Sequence, residues 1–71
     1  MTMVEYSGFL IEPGTFVYRA PIRFSVLRPE SNGTVLIHEG IVKARFKTEK
    51  GATDAAIAAG QTYIDSLSRS D

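Results

Sequence analysis

Hydrophobic periodicity changes once along this chain, and the change divides it into a sheet-forming part and a helix-forming part. Before Thr48 apolar residues fall mostly on alternate positions. Tyr18, Ala20, Ile22, Phe24 and Val26 share one face of a strand, and Arg19, Pro21, Arg23 and Ser25 share the other. That is the two-residue repeat of a half-buried strand. From Thr48 onward Ala52, Ala56, Ala59, Tyr63 and Leu67 recur at intervals of four and three, which is one stripe of an amphipathic helix. A sheet face that must be covered by a single helix leaves few options for 71 residues. The expected class is α+β, in one domain over residues 1–71.

Two turn signals divide the sheet-forming part. Pro13-Gly14 and Asn32-Gly33 are dipeptides that favour chain reversal. They predict strands over about 4–12, 16–28 and 34–47, followed by a helix over about 49–67. Short turns make this a three-stranded antiparallel meander, β-β-β-α, with the second strand in the centre and the C-terminal helix packed on one face. Thr48 is the expected N-cap, with Glu49 favoured by the helix dipole. Residues 66–71 are expected to fray.

Two features disturb this pattern. Pro21 lacks an amide donor in what should be a central strand, and alternation breaks near Gly8, where Tyr6 and Leu10 have one parity and Phe9 and Ile11 the other. A bulge around Gly8 opposite Ala20-Pro21 would accommodate both. Gly60 falls inside the helix at a cost of about 1 kcal/mol relative to alanine, and it is expected to allow close contact with Tyr6, Ile22 or Phe24. The predicted core is Tyr6, Ile22, Phe24, Val26, Val42, Phe46, Ala56, Ala59, Tyr63 and Leu67.

The residue inventory narrows the chemistry. There is no cysteine, so neither a disulfide framework nor a zinc–thiolate site can form. His38 is the only histidine, and Glu39 beside it points to the opposite face of a strand. His38 is therefore read as structural rather than as a base or a metal ligand. The serines form no nucleophile elbow and the glycines no phosphate loop. A typical ligand cavity of about 300 Å³ or more would hollow out much of so small a core. A non-enzymatic protein is expected, without cofactor or metal. Met1 to Glu5 shows no basic segment leading into an apolar run, and no stretch reaches the roughly 18 apolar residues of a membrane span. A cytoplasmic protein with no membrane partner is the corresponding expectation. Asn32-Gly33-Thr34 fits a glycosylation sequon but is read as a turn.

The face left uncovered by the helix carries the functional reading. Eight basic and eight acidic residues give zero formal charge, yet residues 19–47 hold six basic and two acidic ones. Arg19, Arg23, Lys43, Arg45 and Lys47 are placed on the open face, where Val17, Leu27, Val35, Ile37 and Ile41 share their parity. Hairpin counting sets Arg23 across from Glu39 and near Glu5, so that ordinary cross-strand pairs neutralise part of the patch. The third strand is expected to be a free edge on which Lys43, Arg45 and Lys47 discourage further pairing. A face mixing aliphatic and charged groups fits a homodimer or another protein partner. The alternative is nucleic acid, bound through the five cations.

The run Tyr6-Ser7-Gly8-Phe9-Leu10-Ile11-Glu12-Pro13 resembles the first strand of a group of small uncharacterised bacterial β-β-β-α proteins. Tyr18, Ala20 and Ile22, then Phe46-Lys47-Thr48, Ala52 and Tyr63-Ile64-Asp65, match the rest of that pattern. Lys50-Gly51 stands where the group often has acidic residues. The resemblance implies a fold and carries over no active site. The architecture is also similar to plant AP2-type and integrase N-terminal DNA-binding domains, which read the major groove with three strands packed on a helix. Arg19, Arg23, Lys43 and Arg45 would be the matching face residues, although the tryptophan and arginine density of the AP2-type domains is missing. Both are likenesses of fold.

Overall fold

The computed structural model describes residues 3–67. Strands β1 (Val4–Tyr6), β2 (Phe9–Pro13), β3 (Ala20–Glu30) and β4 (Gly33–Phe46) form one antiparallel sheet in sequential order, and helix α1 (Glu49–Leu67) follows. The molecule is a slab of 36 × 30 × 15 Å, thick enough for one sheet and one helix layer. Residues 68–71, most of the segment expected to fray, lie outside the described residues. Ser66 and Leu67 are in α1. No helix among the described residues is long and apolar enough to cross a membrane.

The sheet has four strands where the turn signals predict three. The expected first strand is itself a hairpin. Ser7 and Gly8 both have positive φ, 51° and 83°, as a two-residue reversal of type I′ requires. Tyr6 then pairs with Phe9 and Val4 with Ile11. The break in alternation at Gly8 is the signature of this turn and not of a bulge opposite Pro21. The second expected strand also starts late. Residues 14–19 form a connection that ends in a turn, with Ala20 N–H donating to Val17 C=O at 3.1 Å.

Pro21 is accommodated on both sides. Between Ala20↔Phe46 and Ile22↔Val42, β4 spends two more residues than β3. Pro21 lies opposite that irregular stretch, and the alternation of β3 directs its nitrogen to the β2 side. There β2 has already ended, with Pro13↔Phe24 the last pair. A second irregularity, between Val26 and Leu27, inserts Ile37 into β4 and turns its side chain toward the core. The β3–β4 hairpin closes through Ser31-Asn32, and only Gly33 there has positive φ, at 131°.

The helix begins where the capping residue predicts. Gly51 N–H donates to Thr48 Oγ1 and Ala52 N–H to Thr48 C=O, both at 3.1 Å. Lys50 and Asp54 pair one turn apart at 3.0 Å, a contact of a few tenths of a kcal/mol on an exposed face. The buried stripe is Ala52, Ala56, Gly60 and Ile64, packed on Ile11, Ile22, Phe24 and Val26. Relative to the predicted core, Ile11 and Ile64 are fully buried, and Tyr6, Val42, Phe46, Ala59 and Tyr63 only flank the cluster. Leu67 is 39 % exposed, because the stripe runs at intervals of four and carries Leu67 off the sheet. The close approach at Gly60 is to Ile11, rather than to Tyr6, Ile22 or Phe24. A Cβ there would stand 2.6 Å from Ile11 Cγ2.

Two glycines thus set the thickness of the core, one in each layer. A Cβ on Gly40, in β4, would meet the Phe24 ring at 2.5 Å. Gly60→Ala gains about 1 kcal/mol of helix propensity but overpacks a fully buried isoleucine, which costs about 1–3 kcal/mol. We expect Gly60→Ala to be neutral to destabilising by about 2 kcal/mol, and Gly40→Ala to be destabilising by about 1–3 kcal/mol. Urea unfolding of the two variants measures this. A Gly60→Ala protein more stable by the full helix-propensity gain would show that the contact yields freely.

Candidate functional site

The open face is built from side chains that alternate with the buried ones. Because paired residues share a face, the register lays them out in rows across the sheet. Glu5, Leu10, Leu27 and Leu36 form one row over all four strands. Glu12, Ser25 and Glu39 form the next, over β2, β3 and β4. Arg23 and Ile41 form a third, and beyond them lie Pro21 and the irregular stretch of β4. The face is therefore banded, with leucines at one end, carboxylates beside them and cations toward the other end.

The leucine row is the part that parity alone did not reveal. Val17 lies in the β2–β3 connection, Ile37 turns to the core, and Val35 pairs with Arg28 rather than joining the row. The Glu30↔Gly33 turn sets Leu36 against Leu27, and the extra residue at Ile37 shifts the register by one beyond that pair. The tighter turn and that shift, one residue each, together overturn the expected Arg23–Glu39 pair. Arg23 stands across from Ile41, Glu39 is across from Ser25, and Glu5 sits in the leucine row. Leu10 and Leu27 are half-buried, while Leu36 is 51 % exposed.

The five predicted cations do not form one patch. Arg19, Lys43 and Arg45 surround an open depression of about 530 Å³ whose other walls are Ala20, Pro21, Ile41 and Ala44. Arg19 reaches it from a left-handed backbone conformation, φ 60°. Its N–H donates to Phe46 C=O at 2.7 Å, and its guanidinium lies 5.5 Å from the Tyr18 ring centre. Arg23 lines different depressions, one with Glu12 and Glu49 and another with Glu39. Lys47 follows β4 and lines none of these. None of the five makes an ion pair with a described residue.

No protein-family model matches this chain. No curated protein and no solved structure matches it either.

The helix side holds the remaining polar chemistry. His38 pairs with Val26 on that side and stacks on Tyr63, with ring centres 3.8 Å apart and planes within 8°. Its second aromatic neighbour is Phe24, at 5.8 Å. No carboxylate joins His38 in these contacts, and Glu39 points to the open face as alternation requires. Tyr6 Oη donates to Asp65 Oδ1 at 2.8 Å, linking β1 to α1.

That hydrogen bond gives the fold a pH dependence at the alkaline end. The Tyr6 phenol is held above its ordinary value of 10.0 by the bond to Asp65, by burial and by the charge on Asp65. The folded state thus favours the protonated phenol. This contribution to stability is complete below the unfolded pKa and is lost as pH rises through the higher folded one. Urea unfolding from about pH 8 to about pH 11 should show stability falling more steeply in the wild type than in Tyr6→Phe, given the phenol pKa near 10. Parallel curves would remove Tyr6 as the source.

Proposed function

We propose that this protein is a non-enzymatic interaction module that takes a protein partner on its open sheet face. The observation that carries this is the leucine row. Leu10, Leu27 and Leu36 lie side by side on three adjacent strands, on the face that α1 does not cover. Contiguous apolar side chains ringed by charge are the anatomy of a protein interface, with an apolar centre and a polar rim. Glu5, Glu12 and Glu39 border the row, so a partner with basic groups around an apolar centre fits it best.

Peptides selected from a random library against the immobilised protein test this reading. Binders are expected to perturb the amides of Leu10, Leu27 and Leu36 and to lose about tenfold or more in affinity on Leu36→Ser, equivalent to about 1.4 kcal/mol. The fold should survive, because Leu36 is half exposed. Binders that map to the helix side, or that ignore Leu36→Ser, overturn it.

A second reading, nucleic acid, is favoured by one observation: Arg19, Lys43 and Arg45 meet around a single depression without ion pairs. Light scattering with a random DNA duplex at low and moderate salt distinguishes the two. Phosphate contacts would make affinity fall steeply with salt, by about 0.9 in log–log slope for each phosphate neutralised, and Lys43→Ala or Arg45→Ala would each flatten that slope. An open face that binds protein leaves the duplex alone.

A further inference from the structure

The outer edge of β4 carries a pattern that pairs with itself. β4 is the last strand in the sheet and spans 14 residues. Gly14 N–H donates to Arg23 C=O, so the peptide groups of Arg23 point toward β2. Such groups alternate sides along a strand. Those of Ile22, Phe24 and Val26 therefore bond toward β4, to their partners Val42, Gly40 and His38. Glu39 and Ile41 consequently turn their N–H and C=O groups outward, and Lys43 its N–H, where no described residue meets them. Glu39 to Val42 lie between the two irregularities of β4, and Lys43 opens the second of them.

The side chains of the same three residues stand on the open face, and their charges are palindromic about Ile41. When two antiparallel copies of β4 cross at a twofold axis through Ile41, Glu39 of each faces the second copy's Lys43, and Ile41 faces Ile41. The two Ile41 residues can then exchange two backbone hydrogen bonds, and the Lys43 N–H of each copy can donate to the Glu39 C=O of the second copy. Moving the axis to Gly40 sets Glu39 against Ile41. Moving it to Val42 sets Lys43 against Ile41 and draws the irregular stretch at Arg45 into the ladder. Within one chain neither Glu39 nor Lys43 forms an ion pair among the described residues. They are four extended residues apart, about 13 Å, with Ile41 between them. Ile41 is 44 % exposed.

We infer that a second copy of this chain docks along β4 and joins two four-stranded sheets into one sheet of eight. A basic edge strand repels a second strand, and Glu39 is the residue that converts repulsion into two symmetric attractions. The twofold axis makes the contact isologous, so it closes at two copies. This inference concerns the edge and leaves the open face free, so it goes beyond the interaction reading above and stands or falls separately.

Sedimentation equilibrium and amide exchange at low salt test it. The wild type should pass with concentration from the 7.8 kDa monomer to a species of twice that mass, with the amides of Ile41 and Lys43 becoming slower to exchange. Glu39→Lys and Lys43→Glu should each weaken the dimer at least tenfold. The double exchange Glu39→Lys with Lys43→Glu should restore it, because the palindrome is restored. Circular dichroism checks that each variant is folded, and the wild-type exchange pattern decides the matter even when one is not. A protein that stays monomeric at millimolar concentration overturns the inference. So does a dimer that keeps its strength in Glu39→Lys. A dimer abolished by Leu36→Ser but indifferent to the charge reversals places self-association on the open face, and it overturns the edge pairing while supporting the leucine row.

Discussion

The close contact of α1 with the sheet is the constraint on which the rest of the structure depends. Ala52, Ala56 and Gly60 present almost no side chain to the sheet, so the helix backbone settles directly on Ile11, Ile22, Phe24 and Val26. Gly60 against Ile11 is the tightest point on the helix side, and Gly40 beneath the Phe24 ring is its counterpart in the sheet. A core of seven buried residues among those described leaves little margin at this size, because so short a chain buries only about 60 % of its unfolded surface. Having one helix also means having one covered face. The same economy that holds the helix close leaves the opposite side of four strands without a second layer among the described residues, and a partner can reach the sheet there.

Much of this architecture is legible in the residues. The change of period at Thr48 places the helix, and the cap at Thr48 fixes its start. The buried parity of β3 follows from Ile22, Phe24 and Val26. The split of the first strand does not, for a physical reason. A G1 bulge and a two-residue reversal both place a residue at positive φ and both break alternation, so Ser7-Gly8 is consistent with either until the pairing of Tyr6 with Phe9 is seen. Ile37 is harder still. Nothing in its neighbourhood marks an inserted residue, since no glycine or proline stands beside it and it ends the apolar run Val35-Leu36-Ile37.

That inserted residue decides what the open face looks like. Without it, counting from the Glu30↔Gly33 turn sets Arg23 against Gly40 and Phe24 against Glu39, which turns Glu39 toward the helix side. With it, Glu39 faces Ser25 and Arg23 faces Ile41 on the open face, where the turn has already set Leu36 against Leu27. The cations are legible as a group but not as a geometry. Three of them meet because Arg19 adopts a left-handed conformation and Lys43 and Arg45 lie in the stretch that makes room for Pro21. Arg23 and Lys47 stay apart.

The bond between Tyr6 and Asp65 has a bearing on how the chain reaches this state. Its two ends are 59 residues apart, so it closes a loop nearly as long as the protein. Loop closure of that length loses entropy before any contact repays it. The β3–β4 hairpin and the helix can form from near neighbours in sequence, whereas this latch needs all of them in place. An interaction made after the transition state slows escape from the folded basin and leaves the rate of arrival almost untouched. Closed last, the N-terminal hairpin would act as a clasp, its contribution read in the lifetime of the folded protein.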